Sequence, residues 1–132
     1  MNIKQKIDYW TNLAIDNCAT AKILLDNDKH LDAGFYCHQA IEKFFKAYYW
    51  YINKSKPPYI HNLIKLAEKS NLYKQITDEQ IKLFDLLMPL NIEVRYPDSK
   101  EEILKSLSKE RSKEIYSQNE VFCKWIVQLL NQ

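Results

Sequence analysis

A line of polar side chains in the stretch YCHQAIEKFFKAYYWY carries the groups best suited to acid, base or phosphate chemistry. Gln39, Glu42 and Lys46 follow one another at spacings of three and four residues, so a helix places them in a single row, which we call the polar seam. His38 lies one helical turn before Glu42. The same stretch holds seven aromatic rings, so the polar seam runs among rings and does not resemble an ordinary solvent-facing side.

The polar seam has two interpretations. In the first, Glu42 and Lys46 form a surface ion pair worth a few tenths of a kcal/mol. In the second, another helix, a second subunit or a ligand covers the seam. The second interpretation rests on Phe35, Tyr49 and Trp50, whose rings lie among the polar residues, because rings on all sides of a helix indicate burial on more than one side.

A covered seam needs partners for its polar groups, and Arg95 is the candidate. It is one of two arginines in the chain and stands in the segment EVRYPD. A bidentate Arg95–Glu42 ion pair would connect this segment to the helix that carries the polar seam. We therefore predict that a partner subunit, together with Arg95, covers the polar seam.

Several common catalytic and cofactor motifs are absent from the sequence. With a single glycine, Gly34, it has no Walker loop, GxGxxG fingerprint or GxSxG elbow. Cys37 and His38 are adjacent, so on a helix they point about 100° apart and do not act together as nucleophile and base, and Cys37 is interpreted as a core residue. The three histidines lack HxxxH or HExxH spacing, so neither a metal nor another cofactor is predicted.

Length and composition predict one all-α domain over residues 1–132. A chain of this length buries roughly two thirds of its unfolded surface, so it needs no disulfides to build a core. The single glycine argues against a β-sandwich or a doubly wound sheet, both of which use many tight turns. The formal charge of +2 is too small to imply a nucleic-acid partner by itself.

Cysteine use and hydropathy predict a cytoplasmic protein. The three cysteines are an odd number without CxxC spacing, which fits a reducing compartment. The N-terminal residues MNIKQKIDYW contain no apolar stretch of signal-peptide length, and no run approaches the ~18 apolar residues of a membrane span.

Hydrophobic periodicity predicts the helices that position these residues. Thr77 and Gln80 form a capping box that starts the fourth helix, and Pro89 is expected to kink or stop it. The two prolines of SKPP end the second helix, which pairs with the first in an antiparallel hairpin. The predicted helices cover residues 3–27, 31–53, 61–70, the segment from 77 towards Pro89, and 106 or earlier to 130.

Three stretches taken together resemble the HEPN domain family, the higher eukaryote and prokaryote nucleotide-binding domains. They are AGFYCHQAIEKFFKAYYWY, HNLIKLAE and VRYPD, in this order. The resemblance implies an up-and-down bundle of four or five helices that commonly dimerises, with a polar site near the subunit interface. Many members resemble partners of minimal nucleotidyltransferases, and others are ribonucleases of toxin systems or RNA-processing complexes.

The chain departs from the ribonuclease branch of that family. The motif of that branch is an Arg followed after four to six residues by a His, and the two side chains together cleave RNA without a metal. No histidine follows Arg95 or Arg111 at that spacing, because all three histidines precede both arginines. Without it, no group at that position has an ordinary pKa suited to proton transfer at neutral pH.

Three functions remain open at this point. The first is a non-catalytic, dimeric module that binds a nucleotide or RNA, or docks a minimal nucleotidyltransferase. The second is a ribonuclease toxin of a toxin–antitoxin pair with a divergent active site, and the third is a purely structural interaction domain. Under the first, these residues converge at one site: Gln39, Glu42, Lys46, His61, Arg95 and Tyr96, with His38 and Trp50 as additional members.

Overall fold

The computed structural model describes residues 1–93, 105 and 107–132, and the regular structure in these ranges is entirely helical. Five α-helices follow one another in these described ranges, with a short 3-10 helix at Tyr73–Gln75 between the third and the fourth. The helices are α1 Ile3–Asp26, α2 His30–Asn53, α3 Leu63–Lys69, α4 Asp78–Glu93 and α5 Lys109–Leu130. The prediction of an all-α bundle of four to five helices is confirmed for the described residues.

The first two helices form the predicted hairpin. Asn2 caps α1: its Oδ1 accepts a hydrogen bond from the Gln5 backbone N–H at 2.8 Å, and Gln5 Oε1 accepts one from the Asn2 N–H at 2.9 Å. Three residues connect α1 to α2, and Asp28 among them has a φ of 60°, in the left-handed region. Among the described elements, α1 and α2 share the most extensive interface.

The central helix is α2, which contacts each of the other four described helices. Its buried rings continue into a cluster of three phenylalanines contributed by three helices. Phe45 of α2 packs edge-to-face on Phe84 of α4 and on Phe122 of α5, with ring centroids 5.8 and 5.3 Å apart. Because α2 is held from several sides, the position of the polar seam on it is well determined.

The fourth helix starts where it was predicted to start, but it does not end at Pro89. The Thr77 hydroxyl accepts a hydrogen bond from the Gln80 N–H at 3.1 Å, and Gln80 Oε1 accepts one from the Thr77 N–H at 2.9 Å. Pro89 lies inside α4, which continues to Glu93, so the expectation that Pro89 stops the helix is wrong. Leu87 and Leu90 around it are buried, and this packing keeps the backbone helical past the proline.

Gly34 allows α2 and α4 to approach closely. A Cβ atom at Gly34 would lie 2.5 Å from Leu90 Cδ1, closer than two carbons can pack. The single glycine of the chain therefore serves a helix contact and not a turn.

The last helix begins at a capping serine. The Ser108 hydroxyl accepts a hydrogen bond from the Arg111 N–H at 3.1 Å, so α5 starts slightly later than the sequence predicted. Its buried apolar residues include Ile115, Phe122 and Ile126. None of the helices in the described ranges is both long enough and apolar enough to cross a lipid bilayer.

Candidate functional site

Two residues of the polar seam are buried under other parts of the same chain, while Gln39 is half-buried. Glu42 and Lys46 are only 3% and 6% exposed, although both side chains are ionisable. Trp10 of α1 lies beside Lys46, and the segment 54–62, which follows α2, reaches the pair through Tyr59 and His61. The surface-pair interpretation is therefore wrong, and part of the cover is another helix. A contribution from a second subunit stays a prediction.

Glu42 forms a cluster with Lys46, His61 and His38, and both of its carboxylate oxygens take part. Its Oε1 lies 2.9 Å from His61 Nδ1, and its Oε2 accepts a hydrogen bond from the Lys46 ammonium at 3.2 Å. These partners offset the cost of burying a carboxylate, which is large for an unpaired ion. The His61 side chain is half-exposed, so one side of the cluster is open to solvent.

His38 is the fourth member of the cluster and is uncharged at neutral pH. Burial lowers the pKa of His38 to about 4, while the Glu42 carboxylate and a hydrogen bond with the His61 backbone oppose this shift. Its Nδ1 lies 3.9 Å from Glu42 Oε1, beyond hydrogen-bond distance, and finds no hydrogen-bond partner among the described residues. The Glu42 carboxylate is thus paired with the Lys46 ammonium and contacted by His61, and it is not hydrogen-bonded to His38.

The lowered pKa of His38 makes the folded protein less stable in mild acid. An unfolded histidine has a pKa of about 6.5, so between pH 6.5 and 4 the unfolded chain binds a proton that folded His38 does not. The stabilising contribution is present above that interval and is lost as the pH falls through it. We expect His38→Gln to remove about 2 kcal/mol of the stability loss between pH 7 and pH 5, measured by urea unfolding.

The informative quantity in this experiment is the difference in the free energy of unfolding between pH 7 and pH 5. Replacing His38 also changes packing, and that effect is present at both pH values. Glu42, Lys46 and His61 face His38 and are present in both proteins. If wild type and variant lose the same stability between pH 7 and pH 5, the lowered pKa of His38 is not the cause of the stability loss in mild acid.

The segment 54–62 fixes the position of His61. Lys54, with a φ of 55° in the left-handed region, ends α2 and turns the chain. The two prolines that follow cannot continue a helix. Asn62 then caps α3, its Oδ1 accepting a hydrogen bond from the Lys65 N–H at 3.0 Å. His61 is therefore placed directly before a helix start and opposite Glu42.

A groove of about 390 Å³ opens beside this cluster, which we call the aromatic groove. Its volume is in the range of small-ligand pockets, roughly 300–1,000 Å³. It carries three lysines and four aromatic rings, and the described residues that line it include no acidic side chain. The lining residues are Met1, Lys6, Tyr9, Trp10, Lys46, Trp50, Lys56, Pro57, Pro58 and Tyr59.

Ammonium groups and ring faces are already in contact in the aromatic groove. Lys46 Nζ lies 5.3 Å from the Trp10 ring centroid and 5.8 Å from that of Tyr59. Lys6 Nζ lies 4.3 Å from the Trp50 ring centroid. All three distances are within the ~6 Å reach of a cation–π contact. Lys46 thus connects the buried carboxylate of Glu42 with the open groove.

Of the remaining residues predicted for the site, one contacts another helix, one lines the aromatic groove and two lie outside the described ranges. Gln39 Nε2 donates a hydrogen bond to Asn91 Oδ1 at 2.6 Å, so it links α2 to α4. Arg95 and Tyr96 lie outside the described residues, and the pairing of Arg95 with Glu42 stays a prediction. Trp50 lines the aromatic groove. The structure brings Glu42, Lys46, His61 and His38 together.

Sequence reasoning placed Lys46 and Trp50 in the site but missed most of the other residues of the groove, among them Trp10, Lys6 and Tyr59. Trp10 has the spacing of the apolar side of α1, where it reads as a core residue, and Lys6 precedes it by four residues on the same side. Tyr59 lies two residues before His61 in a loop, where no periodicity indicates a direction. The i, i+4 pairing of a lysine with a tryptophan was the available signal for the first two.

The arrangement is suited to binding an anion next to a flat ring. Lys46 supplies a fixed positive charge, and the aromatic faces supply a surface on which a planar group can stack. Within residues 1–93, 105 and 107–132, no group of three or more His, Cys, Asp or Glu residues is arranged to hold a metal ion.

Comparison with known proteins gives one finding. A model of the HEPN domain family matches residues 7–130, which is nearly the whole chain. Searches of curated proteins and of solved structures return no significant match. The matched range includes α2, His61 and all but the first residues of α1.

Proposed function

Because the chain belongs to the HEPN domain family, we propose that it is a non-catalytic module that binds a nucleotide or RNA in the aromatic groove. Membership of this family connects the chain with nucleotide- or RNA-related function. The proposal adds the location of the binding surface, its chemistry and the absence of cleavage. It also includes a homodimer as the acting form, with a minimal nucleotidyltransferase as an additional candidate partner.

The observation that carries this proposal is that aromatic rings and lysines line the aromatic groove together, while its described lining residues include no Asp or Glu. Stacking of a base on an aromatic side chain is worth about 1–3 kcal/mol and tolerates any base. Tyr59 is exposed and therefore free to receive a base. Lys6 and Lys56 lie within the same groove, where a phosphate of the same ligand would meet a positive charge.

Lys46 supports the proposal because its ammonium is held in place before any ligand arrives. It has three N–H donors, and one of them is used by Glu42 Oε2. Its burial fixes the side chain, so little conformational entropy is lost when a phosphate oxygen binds. Glu42 accordingly acts as a positioning residue for Lys46.

Binding of a short labelled single-stranded RNA, followed by fluorescence anisotropy and competed with ATP or AMP, tests the proposal. We expect Tyr59→Ala to weaken binding about tenfold, since a lost stacking contact is worth about 1–3 kcal/mol. Lys6→Gln should lower the slope of log K against log salt by about 0.7, the effect of one phosphate contact. Tyr73→Ala is the matched control, an exposed tyrosine that does not line the groove.

Each other outcome favours a different function. RNA affinity unchanged by Tyr59→Ala would place binding outside the aromatic groove. Metal-independent shortening of the RNA, lost in His61→Ala, would favour the ribonuclease alternative, for which the His61–Glu42 contact is the supporting observation. No binding of RNA, ATP or AMP would favour the structural alternative. Light scattering on the same samples tests the homodimer.

A further inference from the structure

We propose that Cys18 and Cys123 are a redox-sensitive thiol pair that a hydroperoxide converts into an intramolecular disulfide between α1 and α5. The inference is independent of the aromatic groove and of nucleotide or RNA binding. It concerns two cysteines that are 105 residues apart in sequence and in contact in the fold.

The geometry of the two thiols supports the proposal. Cys18 Sγ lies 3.2 Å from Cys123 Sγ, and a disulfide bond is about 2.0 Å long, so the two sulfurs need to approach by only about 1.2 Å. Cys18 is partly exposed and Cys123 is buried. Both border a surface depression of about 440 Å³, through which a small oxidant can reach Cys18.

Asn119 links the two thiols. It is fully buried on α5, one helical turn before Cys123. Its Nδ2 donates to Cys18 Sγ at 3.9 Å, and its Oδ1 accepts a hydrogen bond from Cys123 Sγ at 3.8 Å. The amide therefore distinguishes the two sulfurs, because it favours negative charge on Cys18 and a proton on Cys123.

Electrostatics assign the same roles to the two thiols. The hydrogen bond with Cys123 is the main cause that lowers the pKa of Cys18; burial opposes this shift, and Asn119 supports it. The same hydrogen bond, followed by burial, raises the pKa of Cys123 well above its usual value. Cys18 is thus the thiol that ionises more readily and reacts first, and Cys123 is the thiol that resolves the product.

The reaction balances with one hydroperoxide per pair. The Cys18 thiolate attacks an oxygen of the hydroperoxide, the O–O bond breaks, and the leaving oxygen takes a proton to give an alcohol or water. Cys18 is then a sulfenic acid. The Cys123 sulfur attacks the Cys18 sulfur, the S–S bond forms, the S–O bond breaks, and the hydroxide leaves with the Cys123 proton as water. Two thiols are oxidised by two electrons in total.

Cys37 provides a control inside the chain. It lies on α2, fully buried, and burial raises its pKa, so it stays a thiol. Its side chain has no part in the depression beside Cys18. The proposal therefore predicts that hydroperoxide discriminates between Cys37 and the Cys18–Cys123 pair.

Peptide mass spectrometry of the reduced full chain after treatment with hydrogen peroxide tests the proposal. Trypsin places the three cysteines on separate peptides, 7–22, 30–43 and 114–124, so each linkage has its own mass. We expect peptides 7–22 and 114–124 to be joined within one molecule, with the loss of two hydrogens and reversal by dithiothreitol. The melting temperature of the oxidised chain should rise by roughly 10 °C, because the disulfide closes a long loop.

Single-cysteine variants separate the two roles. In Cys123→Ser the sulfenic acid on Cys18 has no resolving thiol and should accumulate as a dimedone adduct, whereas in Cys18→Ser Cys123 should stay unreactive. Cys37→Ala should form the cross-link as the wild type does. Linkage to Cys37, linkage only between molecules, or equal reactivity of all three thiols would overturn the proposal.

Discussion

Replacing Lys46 with methionine is expected to destabilise the protein by about 3 kcal/mol. The substitution keeps the length and the apolar stem of the side chain but removes the charge that pairs with Glu42 Oε2 at 3.2 Å. Glu42, only 3% exposed, would then keep His61 as its described hydrogen-bond partner. Breaking a buried ion pair by removing one partner costs about 3–5 kcal/mol, and the remaining His61–Glu42 contact places the expected loss at the lower end of that range. Urea unfolding at pH 7 measures the effect.

The exposed pair Lys22–Asp26 is the matched control for this experiment. It has the same i, i+4 spacing and an even shorter distance of 2.8 Å, but its side chains are 52% and 57% exposed. Lys22→Met should therefore change stability by less than about 1 kcal/mol. Equal effects of Lys46→Met and Lys22→Met would mean that burial does not determine the strength of the seam pair.

A double variant separates the lost charge pair from lost packing. Glu42→Gln in the Lys46→Met background removes the buried charge that was left unpaired. We expect this double variant to be more stable than Lys46→Met alone, because neither side chain then carries an uncompensated charge. A double variant that loses the sum of the two single effects would contradict an ion pair between Glu42 and Lys46.

Truncating Phe122 to alanine is expected to cost about 4 kcal/mol of unfolding free energy. The ring is fully buried and packs edge-to-face on Phe45 and Phe84, each with a centroid distance of 5.3 Å, and on Trp125 at 5.8 Å. The variant loses the transfer free energy of the ring and leaves a cavity between three helices, and such changes cost about 3–5 kcal/mol. Denaturant unfolding with the slope m checked for two-state behaviour measures it.

The neighbouring residue supplies the control for Phe122. Val121 lies on the same helix but is 65% exposed, so Val121→Ala should change stability by less than about 0.5 kcal/mol. Phe122→Leu, which fills most of the space, should cost much less than Phe122→Ala. If Phe122→Ala is no worse than Val121→Ala, the three-helix phenylalanine cluster does not hold α5 against α2 and α4.

The Lys46 and Phe122 experiments test the two sets of contacts that hold α2 in place. The phenylalanine cluster fixes α2 from its core side through Phe45. On a neighbouring face of the same helix, Glu42 lies three residues before Phe45 and Lys46 one residue after it, and both face α1 and the 54–62 segment. The rigidity of α2 thus holds the ammonium of Lys46 at the aromatic groove, which is what the proposed binding function requires.

Much of the fold could be predicted from the sequence because its signals are local. Periodicity located the helices, and the Thr77–Gln80 capping box lies where the spacing placed it. The exception was Pro89, for which stopping the helix was one of two expectations. Its local effect was overridden by Leu87 and Leu90, whose burial against the bundle keeps α4 helical to Glu93.

The site was predicted only in part. The line of Glu42 and Lys46 with His38 one turn earlier follows from helical spacing, and His61 was assigned to the same site from the resemblance to the HEPN family. The surface-pair interpretation of the seam, one of the two weighed, was wrong because exposure depends on what packs over a helix. Trp10 and Tyr59, which complete the aromatic groove, were missed for the same reason.

The sequence by itself determined that the chain is helical and roughly where its helices lie, which side of α2 carries polar groups and to which family the chain is similar. These follow from interactions within a few residues, or from the order of motifs along the chain. Only the tertiary structure decided that Glu42 and Lys46 are buried by α1 and the 54–62 segment, that Gln39 bonds to Asn91, and that Cys18 meets Cys123. Such contacts join residues far apart in sequence, and they arise from how whole helices pack, which no local pattern encodes.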